Sequence, residues 1–423
     1  MSEMTATRIT TVSRVKVRSC FRVLGPGLLA LATGEAAVRL LSPRASATAP
    51  APVDPRDHFS ALEIERGRRF ARPQLALALA RVALQLGTLG AVVRRRSRRP
   101  SIPSAHPIAG GAVSGAGLAI ELLLPGLPPA AMMRRRAIAA GLITQSWRGW
   151  GADLVKASAI EAALAAGGGA AVVAASRRWP HGWWAPAAGG AVLFTAALST
   201  LAPVLLDPVF NDFEPLGEGD TRARLLALAR TAGVRVGEVY SVDASRRTTA
   251  ANAYVSGLGP TKRVVLFDTL LDRYGREEVQ AVVAHELAHV AHRDVLRSIA
   301  FTAIVAPAAA LTAQRLSWAL SAERGTPGAL PALALATGIV LTVVGLLASR
   351  LSRAVERRAD AFALELSGAA EAFVSFERAI ALQNFADLDP PRWVSSLLAT
   401  HPPTAERIGM ALSHIDQASA ARP

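Results

Sequence analysis

The sequence predicts a mainly α-helical, polytopic membrane protein of about seven spans, with a small β-sheet in a polar segment. Three observations lead to this prediction. Hydrophobic residues make up 51% of the 423 residues and charged residues only 19%, against about 25% charged residues in ordinary soluble domains. The mean hydropathy is +0.30. The apolar residues also come in long blocks, which is the pattern of helices that cross a bilayer.

Seven blocks are long enough to be spanning helices, each of which needs about 20 mainly apolar residues. The five strongly apolar blocks are residues 75–93, 108–124, 183–206, 299–318 and 329–348. Two weaker blocks, Leu24–Leu41 and residues 157–175, are rich in alanine and glycine. Small residues of this kind allow helices to pack closely in lipid.

The first block, Leu24–Leu41, has two interpretations. A basic stretch precedes it and Ala45-Ser46-Ala47 follows it, an arrangement typical of a cleaved signal peptide. Glu35 and Arg39 interrupt the apolar run, however, and this favours a retained helix. We therefore count the block as the first of seven spans.

Basic residues exceed acidic ones by 47 to 32, giving a net charge of +15. This excess is compatible with nucleic-acid binding or with basic loops at a membrane face. No nucleic-acid partner is expected, because the basic residues sit beside apolar blocks and aromatic residues amount to only 5%. The single cysteine, Cys20, excludes an intramolecular disulfide and a cysteine-based zinc site.

The loops between the spans carry the orientation signal. Basic residues around 66–72 and 134–136 share a side with the polar segments, so the positive-inside rule predicts that these segments are cytoplasmic. The arginine run at 94–99, on the opposite side, argues against that orientation. The alanine- and arginine-rich composition is typical of a bacterial protein, so we expect a multi-pass protein of a bacterial cell membrane. The oligomeric state stays open.

Two polar segments complete the predicted organisation. The first separates the fifth and sixth spans and contains a helix at 221–232 and strands at Glu238–Val242, 253–257 and Arg263–Phe267, with turns at Gly257 and Gly259-Pro260. The second follows the seventh span. Four units are therefore expected: a membrane region (1–206), a polar unit (207–297), a membrane hairpin (298–349) and a second polar unit (350–423).

The strongest local signal is an H-E-x-x-H motif, His285-Glu286-Leu287-Ala288-His289, on a helix that begins near Glu277. Positions i and i+4 lie on one helix face, so both imidazoles can bind one metal ion. Glu286 can then act as the base for an attacking water molecule. Zinc suits two imidazoles and a carboxylate with one open position, and we expect one Zn²⁺ per chain. The alternative is a helix with two surface histidines.

A third ligand must come from elsewhere in the chain. His292 lies seven residues from His285, about 10 Å along a helix, which is too far for one straight helix to wrap all three around an ion. Glu356 is the better candidate, and Asp360, one helical turn on, would accept a hydrogen bond from a ligand imidazole. The alternative is that Glu356 only offsets neighbouring arginines.

The chain resembles the type I CAAX prenyl proteases, which are integral-membrane zinc metalloendopeptidases of the gluzincin type. The H-E-x-x-H motif, the Glu356-x-x-x-Asp360 pair and further blocks follow the family order. The further blocks are residues 141–147 (GLITQSW), 207–211 (DPVFN), 252–257 (NAYVSG), 262–271 (KRVVLFDTLL) and 401–403 (HPP) with Glu406 and Arg407. The resemblance covers roughly residues 136–409.

The resemblance implies a zincin-like catalytic domain that carries the small β-sheet, with His285, His289 and Glu356 as zinc ligands and Glu286 as general base. It also implies that His401 and Arg407 stabilise the oxyanion or hold substrate. Finally, it implies that an edge strand starting at Asn252, Ala253 and Tyr254 binds the substrate backbone by β-addition. The alternative for Asn252, Ala253 and Tyr254 is a plain turn before a strand. The alternative for His401 and Arg407 is a surface turn stiffened by proline.

The expected activity is hydrolysis of peptides or membrane-associated proteins. A second enzyme class, heat-shock-type membrane quality-control metalloproteases, shares H-E-x-x-H and a downstream glutamate. About five spans before the motif favour the prenyl-protease type. A degenerate membrane scaffold or transporter is the non-enzyme alternative, and the intact Glu286 argues against it.

Overall fold

The computed structural model describes residues 24–44, 49–97, 105–257 and 262–420. Within these ranges, seven helices are long and apolar enough to cross a membrane, as predicted. They are α1 (Leu24–Leu41), α3 (Ala61–Ser97), α4 (Pro107–Ala139), α5 (Trp147–Arg178), α6 (Trp184–Leu205), α11 (Asp294–Leu320) and α12 (Leu330–Ser367). The shorter helices are α2 (Pro55–His58), α7 (Asp207–Phe210), α8 (Asp220–Thr231), α9 (Asp268–Arg273), α10 (Arg276–Ala291), α13 (Ala370–Gln383) and α14 (Thr404–Ala420). Cys20, Ala45-Ser46-Ala47, part of the 94–99 run and the Gly259-Pro260 turn lie outside the described residues.

Small residues bring α4 and α5 into backbone contact. A side chain at Gly115 would meet the carbonyl oxygen of Ala165, and one at Gly169 would meet that of Gly111. Lipid gives helices no hydrophobic reason to associate, so close approach and the dispersion contacts it allows stabilise such pairs. The alanine- and glycine-rich composition of the weaker fourth block, residues 157–175, has this packing role.

Helix α1 packs against two other membrane spans, α11 and α12. Ala37 and Val38 are buried against Phe301 of α11 and Leu351 of α12. Glu35, which interrupts the apolar run, forms an ion pair with Arg350 of α12. A charge that argues against a signal peptide in the sequence is therefore paired between helices in the structure.

The sheet has four strands in the order β1-β2-β4-β3, with β3 at one edge. Strand β4 pairs in parallel with β2 and antiparallel with β3, and β1 pairs antiparallel with β2. The strands are β1 (Phe213–Pro215), β2 (Glu238–Val242), β3 (Ala253–Ser256) and β4 (Arg263–Phe267). Strands β2 and β4 have the predicted bounds, β3 ends one residue earlier than expected, and β1 is too short for the alternation of the sequence to show it.

Helix α10 lies between the sheet and the C-terminal helices. Val279, Val283 and Leu287 recur every four residues and are buried in the core that includes the sheet residues Val264 and Leu266. Alanines on another side of α10 pack against the buried Ala363 and Leu364 of α12. Because two of its faces are fixed by packing, the histidine-bearing face has one orientation, towards α12.

The predicted boundaries between membrane and polar units fall inside continuous helices. Residue 350 lies within α12, which runs for 38 residues without a break from the seventh span into the polar unit. Residue 297 lies within α11. The helices of the sixth and seventh spans therefore extend into the two polar units, over residues 294–297 and 350–367.

Candidate metal centre

The structure brings His285, His289 and Glu356 together. Nε2 of His285 lies 3.3 Å from Nε2 of His289 and 3.1 Å from Oε2 of Glu356. Nε2 of His289 is 3.8 Å from Oε1 of Glu356. The two rings are nearly perpendicular, at 82°, with centroids 5.0 Å apart. Three potential ligand atoms from two helices therefore point at a common centre.

The hydrogen bonds of the other ring nitrogens determine what this centre can hold. Nδ1 of His285 is 2.8 Å from Asp360 Oδ1, and Nδ1 of His289 is 3.1 Å from Asp294 Oδ2. A carboxylate only accepts, so each Nδ1 carries the proton and each Nε2 of a neutral ring is left with a lone pair. Two such lone pairs and a carboxylate oxygen face one another. This donor set fits a divalent cation, and zinc is the ion that prefers it.

Glu286 lies at the edge of this centre. Its carboxylate is within 4.8 Å of the ligand atoms of His285 and His289. Burial raises the pKa of Glu286 above its ordinary range, against the opposing effect of the two histidines. A carboxylate with a raised pKa beside the metal-ligand atoms is a stronger base than an exposed one, which suits it to take a proton from water.

A series of buried polar contacts runs from Nδ1 of His285 through Asp360 and Arg407 to Glu377. Asp360 is fully buried and bonds His285 on one side and Arg407 on the other, with Nη2 of Arg407 2.6 Å from Oδ1 and Nε 2.9 Å from Oδ2. Nη1 of Arg407 lies 2.7 Å from Oε1 of Glu377, which is 2% exposed. The predicted partnership of Asp360 with a ligand imidazole is present. Arg407 contacts these two carboxylates, and its contact with the centre runs through Asp360.

His401 also lies beside the centre, next to Glu356. Its Nε2 is 3.5 Å from Oε2 of Glu356, and its Nδ1 is 3.0 Å from the hydroxyl of Thr400. The side chain is 62% exposed, so it is accessible to a bound substrate. His292, the alternative third ligand, bonds the carbonyl of Ala288 through Nδ1 and packs edge-to-face against Phe362.

Strand β3 presents an open backbone edge beside the centre. Phe267 N–H donates to Asn252 C=O. In the antiparallel pattern, the backbone N–H and C=O of Tyr254 therefore point towards β4, whereas those of Ala253 and Val255 point away from it. The Asn252 side chain accepts from the N–H of Ala253, and the Tyr254 hydroxyl donates to Asp207. Val255 therefore offers the outward N–H and C=O of the strand.

A cavity of about 1010 Å³ joins this edge to the centre. Val255, Glu286, His289 and Glu356 line it together with residues of the membrane helices. The membrane-helix lining includes Thr195, Ser199, Phe301, Thr302 and Gly345. Its volume suits a peptide segment rather than a single water molecule.

Sequence reasoning did not identify Asp294, Glu377 or Val255. Asp294 and Glu377 lie outside the recognised motifs, and no spacing rule relates either one to a ligand. Val255 falls within the NAYVSG block, but only the observed strand register shows that its backbone faces outward. A carboxylate five residues after the second histidine was the one visible signal for Asp294.

A profile of peptidase family M48 matches residues 215–415, a range that includes every residue of the centre. Protease HtpX of Legionella pneumophila (strain Lens) is 33% identical over 205 residues, which cover 43% of this chain and 71% of that protein. The chain belongs to peptidase family M48.

Other M48 relatives match the same part of the chain. The uncharacterized metalloprotease YhfN of Bacillus subtilis is 32% identical over 235 residues, 53% of this chain and 55% of that protein. The CAAX prenyl protease 1 homolog of Arabidopsis thaliana is 32% identical over 227 residues, 51% of this chain and 53% of that protein. The match thus spans about half the length of these two relatives, and the resemblance to the CAAX prenyl protease family is confirmed.

A solved structure has a similar fold that includes the membrane region. The crystal structure of S. mikatae Ste24p superposes with a TM-score of 0.73, covering 93% of this chain and 97% of that chain at 19% sequence identity. At that identity the match concerns the architecture alone. It confirms the mainly α-helical membrane fold with a small sheet that the sequence predicts.

Proposed function

We propose that this M48 chain is a membrane-embedded, zinc-dependent endopeptidase. The observation that carries the proposal is the convergence of His285 Nε2, His289 Nε2 and a Glu356 oxygen beside the half-buried carboxylate of Glu286. Three ligands with one open position are typical of catalytic rather than structural zinc. The adjoining cavity and open strand edge provide room and hydrogen bonds for a peptide.

His285, His289 and Glu356 would hold one zinc ion. When bound, zinc lowers the pKa of water and polarises the scissile carbonyl. Glu286 accepts a proton from the attacking water molecule as the water oxygen bonds to the carbonyl carbon. The same carboxyl then gives that proton to the leaving nitrogen as the C–N bond breaks, so one residue serves as base and then as acid.

His401 and Arg407 support this chemistry in different ways. His401 is exposed and faces the centre, so its Nε2–H can donate to the oxyanion that forms on the substrate carbonyl. Arg407 binds Asp360 with two nitrogens and thereby keeps that carboxylate ionised and oriented towards His285. We assign oxyanion stabilisation to His401 and positioning of Asp360 to Arg407.

The substrate backbone binds as an added strand along β3. Asn252 orders the start of this strand by accepting the N–H of Ala253, and Tyr254 anchors it through Asp207. Val255 then donates and accepts the backbone hydrogen bonds. A substrate bound in this way is an extended peptide, or an extended segment of a membrane-associated protein, with little sequence restriction from the backbone contacts.

We further propose that the four predicted units act as two membrane regions and two catalytic parts of one site, located in a bacterial cell membrane. The positive-inside rule, applied to the basic loops around 66–72 and 134–136, supports a cytoplasmic site. A C-terminal reporter active only in the cytoplasm tests this orientation, because residue 420 follows the second catalytic part.

The deciding experiment compares the purified wild-type protein with Glu286→Gln in detergent. We expect about one zinc per chain in both, by elemental analysis, and cleavage of a fluorogenic peptide pool by the wild type alone. General base catalysis contributes on the order of 10² to 10⁴-fold. Equal turnover by the variant would refute the role of Glu286, and absence of zinc from the wild type would refute the metal site.

The same assay separates the substrate classes. Matched peptides that end in a cysteine followed by three further residues, with and without a prenyl group on that cysteine, show whether a lipid is required. Preferential cleavage of the lipidated peptide supports a prenyl-protease activity, the activity for which several relatives are named. Equal cleavage of both supports the quality-control alternative, in which extended polypeptide is the only requirement.

A further inference from the structure

The turn between α10 and α11 has an unusual backbone. Arg293 adopts φ 56° and ψ 45°, the left-handed region. A non-glycine residue is strained there, because its Cβ lies too close to the following carbonyl oxygen. The turn brings Asp294, the first residue of α11, back onto His289 of the preceding helix, with Oδ2 3.1 Å from Nδ1. A strained residue that places a carboxylate on a ligand imidazole suggests a functional constraint on this turn.

Asp294 is buried, at 9% exposure, and is held by two arginines. Nε of Arg297 donates to Oδ1 over 3.2 Å, and Nη2 of Arg358 donates to the same oxygen. The two guanidinium groups offset the cost of burying this carboxylate and hold it in place to accept the imidazole N–H.

Each arginine belongs to, or contacts, a membrane span. Arg358 follows Glu356 by two residues on α12 and donates to Asp294, the partner of His289. It therefore connects Asp294 to the helix that carries the third ligand, Glu356. Arg297 also donates to the carbonyl oxygen of Leu41, the last residue of α1. The centre is thereby linked to α1, α11 and α12 through one carboxylate.

We propose that Asp294 is a positioning residue for His289 and that Arg297 extends this positioning to the first membrane span. The inference rests on the proposed zinc site. A carboxylate on Nδ1–H fixes the tautomer and orientation of a ligand histidine and increases the basicity of Nε2. His285 has the same support from Asp360, so the centre has two carboxylate–histidine pairs.

A purely structural role for Asp294 is the competing explanation. An anion at the start of a helix stabilises that helix through the helix dipole. That role affects unfolding but not the ligand field of a bound metal. A measurement on the metal therefore distinguishes the two roles.

The experiment uses the full chain in detergent, with zinc affinity measured by competition against a chromophoric chelator. We expect Asp294→Ala to weaken zinc binding by about 10–100-fold, the range typical of lost partners of ligand residues. The visible spectrum of the Co²⁺-loaded variant should also shift, since His289 loses its fixed orientation. His292→Ala, at the end of the same helix but hydrogen-bonded away from the centre, is the matched control with unchanged affinity and spectrum.

Two further variants keep the test decisive if Asp294→Ala does not fold. Arg297→Gln leaves Asp294 in place but weakens the link to Leu41, and we expect zinc binding to weaken by roughly fivefold, in line with about 1 kcal/mol for one hydrogen bond. Arg293→Gly removes the strain and keeps the turn, so its affinity should equal that of the wild type.

Unchanged zinc affinity and an unchanged Co²⁺ spectrum in Asp294→Ala, or in Arg297→Gln if only that variant folds, would overturn the assignment. A lower thermal stability with an intact spectrum would assign Asp294 to helix stabilisation instead. A wild type that binds no zinc would overturn the proposed function first, and this inference with it. The metal measurements separate these failures because none depends on peptide cleavage.

Discussion

His285 and Glu356 are 71 residues apart in the chain, yet Nε2 of one lies 3.1 Å from Oε2 of the other. The histidine is on α10, whose position is fixed by the sheet. The glutamate is on α12, which continues the seventh membrane span without a break. The centre is therefore assembled between α10, which packs on the sheet, and α12, which continues a membrane span. Its geometry depends on how these two helices pack.

Removing the carboxylate of this pair tests the third ligand. We expect Glu356→Ala to lower zinc affinity by at least about 100-fold, because a direct ligand contributes more than a residue that only orients one. Chelator competition with the purified variant measures this loss. Wild-type affinity in Glu356→Ala together with loss of zinc from His292→Ala would move the third ligand to His292.

The edge strand predicts a substrate effect that leaves the metal untouched. Val255→Pro removes the outward N–H without breaking the pairing of β3 with β4, since proline is tolerated on sheet edges. We expect kcat/KM to fall about five- to tenfold, as for one lost hydrogen bond, with zinc content unchanged. Val255→Ala keeps the N–H and is the control. An equal effect of both variants would point to side-chain packing instead.

Glu377 predicts a pH dependence of stability. Burial raises the pKa of Glu377 to about 7, against the attraction of Arg407 and with a contribution from Asp360. Between its ordinary value of 4.5 and about 7, the folded state holds a proton that the unfolded state has released. The stability of the wild type relative to Glu377→Gln should therefore fall as pH rises through this window and level off above it.

Thermal unfolding in detergent at several pH values checks this trend. The control is Glu371→Gln, which changes an exposed carboxylate on the same helix and should follow the wild type at each pH. A stability difference between wild type and Glu377→Gln that stays constant from about pH 4.5 to 7 would mean that Glu377 is already ionised in the folded state across this window, and would contradict the raised pKa.

A contact between α3 and the loop after α13 predicts a stability difference between two glycines. A Cβ at Gly67 would collide with the carbonyl oxygen of Ala386, whereas one at Gly87 on the same helix meets nothing within 4 Å. The loop is anchored there by Phe385, which packs on Phe70 with ring centroids 5.2 Å apart.

We expect Gly67→Ala to destabilise the protein by about 1–3 kcal/mol, the usual range for overpacking. Gly87→Ala should be neutral or stabilising by up to about 1 kcal/mol, because alanine is the better helix former. Thermal unfolding of the two variants in the same detergent measures the difference. Equal unfolding temperatures would show that the loop after α13 is not docked on α3.

The sequence determined the local features of this protein. Block-wise apolar composition was sufficient for seven spans, and alternation and turn residues were sufficient for the strands β2 and β4. These signals are local, because a bilayer imposes a minimum apolar length and a sheet imposes a period of two. The i, i+4 spacing likewise placed His285 and His289 on one face of a helix.

The tertiary structure decided the relations that no local period encodes. Asp294 is the hydrogen-bond partner of His289 because the backbone of Arg293 adopts the left-handed conformation. The sequence gives no signal for that conformation at an arginine, since bulky residues rarely adopt it. Arg407 joined Asp360 and Glu377 because α12, α13 and α14 pack together, which depends on side-chain fit across more than 40 residues of chain. Packing and strain are properties of the assembled chain, so only its coordinates reveal them.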